Sequence, residues 1–194
     1  VKRVCPHSFL TAISPIEHRG DDPEGRLSGI REVLRTTTQA MSPFRQCPGA
    51  HMVRLQVIDS LRPAMGDMDS PPLKSSYLLF VAELDGSVDD FLDALYGADP
   101  AFVRNIWGRC GGYPPYEGAV FYRRYIKRCM IEDPMPFAAF DADVDAILQA
   151  LARKEALADW LTQTLEHDDA ALQKSWQAQR EALVNARPAP RGTL

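Results

Sequence analysis

No stretch of this sequence stays apolar for the roughly 18–20 residues that a membrane span needs. The longest apolar runs, such as residues 77–82, have only strand length. No apolar segment follows the opening Val1-Lys2-Arg3, so no signal peptide is expected and a cytoplasmic location is the default. The first residue is not Met, which points to a trimmed chain or a piece of a longer one. Basic charge is not in excess: 22 Lys and Arg stand against 26 Asp and Glu, for a net charge of -4. Broad nucleic-acid binding needs a basic face that displaces phosphate counterions, so it is not expected. The four cysteines, at 5, 47, 110 and 129, form no C-x-x-C pair and no tight cluster with histidine. A structural zinc site is therefore not expected, and no metal-ligand set is identifiable from spacing. A chain of 194 residues can bury a core without disulfides. G-x-G-x-x-G, the Walker loop, H-E-x-x-H and G-x-S-x-G are all absent. Nucleotide-driven and common hydrolase mechanisms accordingly have no support.

What is present is ordinary globular composition, 45% hydrophobic and 25% charged. Residues 8–14 read as a first strand. Asp22, Pro23 and Glu24 open a helix through capping, a pre-set φ and favourable charge at the dipole's positive end. Leu27, Ile30, Val33 and Leu34 continue it at helical spacing to about Met41. Residues 52–59 alternate as a strand, residues 60–75 carry three prolines and a glycine and read as a loop, and residues 77–84 are the strongest strand. Ser87 caps a helix that runs toward Cys110, with a break expected near Gly97–Pro100. Residues 120–130 form a short helix, and residues 137–140 a last edge strand. Two amphipathic helices follow, from Val144 to about Leu165 and from Asp168 to Asn185.

The order strand, helix, strand, strand, helix, strand is that of a ferredoxin-like α+β sheet, βαββαβ, with helices on one face and an appended C-terminal helical segment. The division expected is 1–141 for the α+β domain, 142–187 for the helical extension and 188–194 for a frayed tail. The second sheet face must be wet, covered by added helices, or buried by another subunit.

Strand period assigns the sides. Val53, Leu55 and Val57 share one face with Leu78, Phe80, Ala82 and Leu84 on the neighbouring strand. The other face carries Arg54, Gln56, Tyr77 and Glu83 among aliphatic residues. Convergent polar groups on an apolar surface are the make-up of a ligand site. They are also the make-up of a wet sheet face or a dimer interface, with Arg54 and Glu83 simply paired. His51, on the side of Val53, offers ring nitrogens to a metal or to haem iron, or else hydrogen-bonds at a loop junction. His7, His18 and His167 fall in segments expected to be exposed. Cys110 closes a helix, where the dipole works against a thiolate, so a buried structural role is the simpler reading. Arg123, Arg124, Lys127 and Arg128 make one basic helix face, either a solvated surface or a holder of phosphates or an acidic partner.

Several stretches together carry a resemblance: Ala50-His51-Met52-Val53-Arg54, Leu78-Leu79-Phe80 to Asp85-Gly86, Phe91 to Leu95, and Ile106-Trp107 to Cys110-Gly111-Gly112-Tyr113-Pro114. Over about residues 8–145 the chain resembles a group of bacterial ferredoxin-like proteins labelled peroxidase-like or found with haem peroxidases. The wider superfamily is the dimeric α+β barrel. The resemblance implies oxidative metabolism, an oxidoreductase activity if the chain is an enzyme, and haem as a cofactor to consider. In the haem members the ligand histidine usually lies on a helix of the C-terminal half, a region that here has no histidine before His167.

The leading expectation is a small-molecule-binding protein for an apolar or haem-like ligand. Arg54 would hold an acidic group, Tyr77 and Glu83 would orient the ligand or exchange protons, and His51 with Gln56 would contact a cofactor. The alternative is a non-catalytic interaction or scaffold domain, as a homodimer or with a partner protein.

Overall fold

The computed structural model describes residues 7–17, 23–60, 72–131 and 142–188. These fall into two compact units, residues 1–141 and residues 142–194. The first is mixed α+β and the second is helical.

In the first unit, β1 (His7–Pro15) is followed by α1 (Pro23–Thr36), β2 (Ala50–Ser60) and β3 (Pro72–Asp85). Then come α2 (Val88–Ala98), α3 (Pro100–Trp107) and α4 (Ala119–Cys129). Among the described residues the sheet has three strands in the order β1-β3-β2, both pairings antiparallel. The edge strand expected at residues 137–140 lies outside the described residues. An antiparallel bridge joins Met130 to Ala12 on the outer edge of β1, and the Ile131 amide donates to the Thr11 carbonyl at 2.9 Å.

Alternation along the strands separates two faces as the sequence predicts. Leu10, Ala12 and Ser14 of β1 and Leu78, Phe80, Ala82 and Leu84 of β3 are fully buried. Leu55 and Val57 pack against the same core from β2. The helices add Ile30, Phe91, Leu92, Leu95, Val103, Ile106, Trp107, Tyr122 and Ile126 to this core. Trp107 is its centre, with its ring 5.1 Å from both Phe80 and Tyr122. Each large side chain buried this completely contributes on the order of 1.5–3 kcal/mol.

Helix boundaries follow local chemistry. Ser87 accepts a hydrogen bond from the Asp90 amide at 3.1 Å, and Asp99 accepts one from Phe102 at 2.8 Å. Asp99 therefore caps α3 immediately after α2 ends, with Pro100 suited to the first turn, and this makes the expected break. Two boundaries differ from the sequence reading. α1 stops at Thr36 instead of reaching Met41, because the hydroxyls of Thr36 and Thr37 donate to the carbonyls of Glu32 and Val33, both at 2.7 Å. Such local bonding competes with helix propagation, and short 3-10 turns at Gln39–Met41 and Pro43–Gln46 follow. β3 also begins earlier, at Pro72, where proline is tolerated as a strand's first residue.

In the second unit, α5 (Val144–Gln163) and α6 (Asp169–Val184) are capped by Asp143 and Asp168. Trp160 and Trp176 meet at 5.4 Å, and the Trp160 indole donates to Ser175 Oγ at 2.9 Å. Leu157, Leu161 and Leu165 of this unit are exposed.

Candidate functional site

The sheet face away from α1 to α4 is built from four cross-strand rows. They are Phe9–Glu83–Met52, Thr11–Val81–Arg54, Ile13–Leu79–Gln56 and Pro15–Tyr77–Ile58. Every residue in these rows is half-buried or exposed, with Met52 at 54% and Tyr77 at 36% of full exposure. The face is thus mainly aliphatic and aromatic, with a polar strip toward β2.

The expected site residues are distributed unevenly over it. Arg54 donates to the Gln56 side-chain oxygen, so these two act together. Glu83 lies one row from Arg54. No ion pair joins Arg54 to Glu83 among the described residues, so the simple pairing that sequence allowed is not present. Tyr77 is six residues from Glu83 along β3, which at about 3.3 Å per residue is roughly 20 Å. One small ligand can therefore engage Arg54, Gln56 and Glu83, while Tyr77 and Glu83 cannot act on the same atom.

His51 belongs to a different grouping. Ala50 pairs with Leu84 and Met52 with Glu83, so two steps on β2 match one on β3 and His51 is the extra residue of a β-bulge. Bulges re-aim side chains, and the alternation that put His51 with Val53 is interrupted here. His51 Nε2 lies 2.7 Å from Asp85 Oδ1. His7, paired across β1 and β3 with Asp85, brings its Nδ1 to 3.4 Å from the same oxygen. The two imidazoles meet edge to face with centroids 4.8 Å apart. The three side chains are 1% (His7), 13% (His51) and 19% (Asp85) exposed. His7 was expected to be exposed, but its ring is enclosed, and neither ring nitrogen has a hydrogen-bond partner among the described residues.

The backbone under this cluster is fixed by Gly49, whose carbonyl accepts the Asp85 amide at 2.7 Å. Gly49 has φ of 74°, and a Cβ there would stand 2.8 Å from the Asp85 carbonyl oxygen. Only glycine satisfies both conditions. His51 Nε2, expected from sequence to meet a metal or haem iron, is instead engaged by the Asp85 carboxylate, with the His7 ring edge to face against it.

The remaining sequence candidates are absorbed by structure. On α4, Arg123 pairs with Asp93 of α2, and Lys127 pairs with Asp89 at 2.6 Å. Half of the basic face therefore ties two helices together. Cys110 is buried and its thiol donates to the Ile106 carbonyl at 3.8 Å. Burial pushes its thiol up to about 12, and that of Cys47 up to about 11. Neither is a nucleophile at neutral pH. A shallow groove of about 290 Å³ is lined by Tyr96, Tyr113, Tyr116 and three prolines, and bordered by Arg104 and Glu117, which pair at 2.5 Å. No described helix is long and apolar enough to cross a membrane. Compared with protein-family models, with curated proteins and with solved structures, the chain matches none.

Proposed function

We propose that this chain is a small-molecule-binding protein of oxidative metabolism, taking an apolar ligand with an acidic group on the open sheet face. The observation that carries the reading is the face itself: four mainly apolar rows, half-buried or exposed, with one guanidinium among them. An aliphatic surface supplies affinity through area removed from water. Arg54, steadied by Gln56, supplies a charged donor pair for a carboxylate. Glu83, one row away, is placed to hold a ligand hydroxyl or accept a proton. Tyr77, at the far end, would contact only a longer ligand. The oxidative setting rests on the resemblance carried by residues 50–54 and 106–114.

The ferredoxin-like arrangement is part of the same proposal. The order β1-β3-β2, the helix between β1 and β2, and the Met130–Ala12 bridge on the outer edge of β1 all support it. In that arrangement a fourth strand would lie beside β1.

Titration with a medium-chain fatty acid and with the corresponding alcohol tests the reading. The acid should bind more tightly than the alcohol. Arg54→Ala should weaken the acid by about 1.5–3 kcal/mol, the worth of a hydrogen bond to a charged group, and leave the alcohol unchanged. Equal affinities for acid and alcohol, unaltered by the substitution, would remove the face as the site.

A second reading, docking of a protein partner or a second copy, is favoured by exposed Met52 and Tyr77 on the face and by exposed Leu157, Leu161 and Leu165 in the helical unit. Concentration-dependent self-association in sedimentation equilibrium, with no ligand bound, would support it over the first.

A further inference from the structure

We propose that His7, His51 and Asp85 form a binding site for a divalent first-row transition cation of the imidazole-preferring class, such as zinc or ferrous iron. The site is distinct from the sheet face proposed for an amphipathic acid, and does not depend on it.

The donor set comes first. Two imidazoles and a carboxylate are the ligands such cations take, whereas calcium and magnesium prefer all-oxygen sets. The candidate ligand atoms all lie within 4.8 Å of one another. In a tetrahedral centre with bonds of about 2.0–2.1 Å, ligand atoms sit roughly 3.3 Å apart. His7 Nδ1 and Asp85 Oδ1 already have that spacing, at 3.4 Å. The His51 to Asp85 contact, at 2.7 Å, is the hydrogen bond that an arriving cation would replace, and it has to open by about half an ångström.

Independent support comes from His7. Its side chain is 1% exposed, yet neither nitrogen has a hydrogen-bond partner among the described residues. Enclosing an imidazole with both nitrogens unsatisfied is unfavourable, and native structures rarely leave such groups without a partner. One nitrogen stands beside a carboxylate oxygen, where a cation would satisfy it. The site is also built rather than incidental. Its ligands come from three strands, the β-bulge supplies His51, and the Gly49 carbonyl holds the Asp85 backbone. Among the described residues three ligands converge, the number found in reactive centres that keep a coordination position for water or a substrate.

Isothermal titration of the full chain with Zn²⁺, alongside Co²⁺ absorption spectra, tests the proposal. One equivalent of Zn²⁺ should bind, Mg²⁺ should not compete, and Co²⁺ should give the visible bands of a low-symmetry nitrogen and oxygen site. His7→Ala and Asp85→Asn should each weaken Zn²⁺ by more than about a hundredfold, beyond the loss typical of an outer-shell change. His167→Ala should change nothing. If the variants do not fold, the ring ¹⁵N signals of the wild-type histidines decide. Zn²⁺ should move two of the four, those of His7 and His51. Absence of saturable Zn²⁺ binding overturns the site, as do affinities indifferent to the substitutions or shifts confined to His18 and His167.

Discussion

Gly49 shows how much a single residue decides here. It holds φ of 74°, and a side chain would press on the Asp85 backbone from 2.8 Å. Gly49→Ala should therefore destabilise the fold by at least about 1–3 kcal/mol, the usual strain of a non-glycine residue in this conformation. Chemical denaturation measures it, and an unchanged midpoint would mean that the turn relaxes freely. The buried thiols give a second prediction. Cys47 and Cys110 rise from 9.0 to about 11 and about 12 because burial disfavours the thiolate. Between pH 9 and 11 the unfolded chain has released these protons while the folded chain retains them. Stability contributed below the unfolded value is therefore lost as pH rises, at roughly 1.4 kcal/mol per pH unit for each thiol. Urea midpoints should fall across that window, and a flat profile would contradict the enclosure of these groups. At this scale the sequence was only partly readable. His51 stands out as a histidine at a strand start, but its partners His7 and Asp85 are 44 residues before it and 34 after it. Nothing in spacing links them. Their meeting depends on strand register and on one extra residue in β2, neither of which composition or periodicity encodes.

Among the elements, helix starts are the most legible, because four of the described helices carry a side-chain cap. Ser87, Asp99, Asp143 and Asp168 each accept an amide three residues on, as the side-chain chemistry demands. Strand faces were equally readable, since alternation in β3 sorts Leu78, Phe80, Ala82 and Leu84 into the core without exception. Element ends were harder. The apolar spacing of α1 says nothing of the two threonine hydroxyls that end it. Prolines near residue 72 read as loop, yet an edge-tolerant first strand position accommodates one. The basic face of α4 was visible, but not its use. Only the packing of α4 on α2 shows that Arg123 and Lys127 face Asp89 and Asp93. Its phosphate-binding reading weakens accordingly, with Arg124 and Arg128 left as the cations not engaged in these ion pairs.

For the whole molecule, the α+β character follows from sequence order, while the proposed ligand face is the side of the sheet that α1 to α4 leave uncovered. The helices of the first unit pack on one side because Leu10, Ala12, Leu78, Phe80, Ala82 and Leu84 of β1 and β3 all face that way. The other side keeps Arg54 and Gln56 among Phe9, Ile13, Leu79 and Val81, an arrangement that costs little in water and offers much to an amphipathic ligand. The same sheet ends in the His7, His51 and Asp85 cluster, one row beyond Glu83. A ligand face and a cation site would thus be neighbours on one scaffold, each separately testable. Amide and methyl chemical-shift mapping during titration with a medium-chain fatty acid tests the ligand face itself. Saturable shifts should concentrate at Phe9, Thr11, Ile13, Arg54, Leu79 and Val81. Shifts confined to the groove at Tyr96 and Tyr113, or no saturable shifts at all, would contradict it.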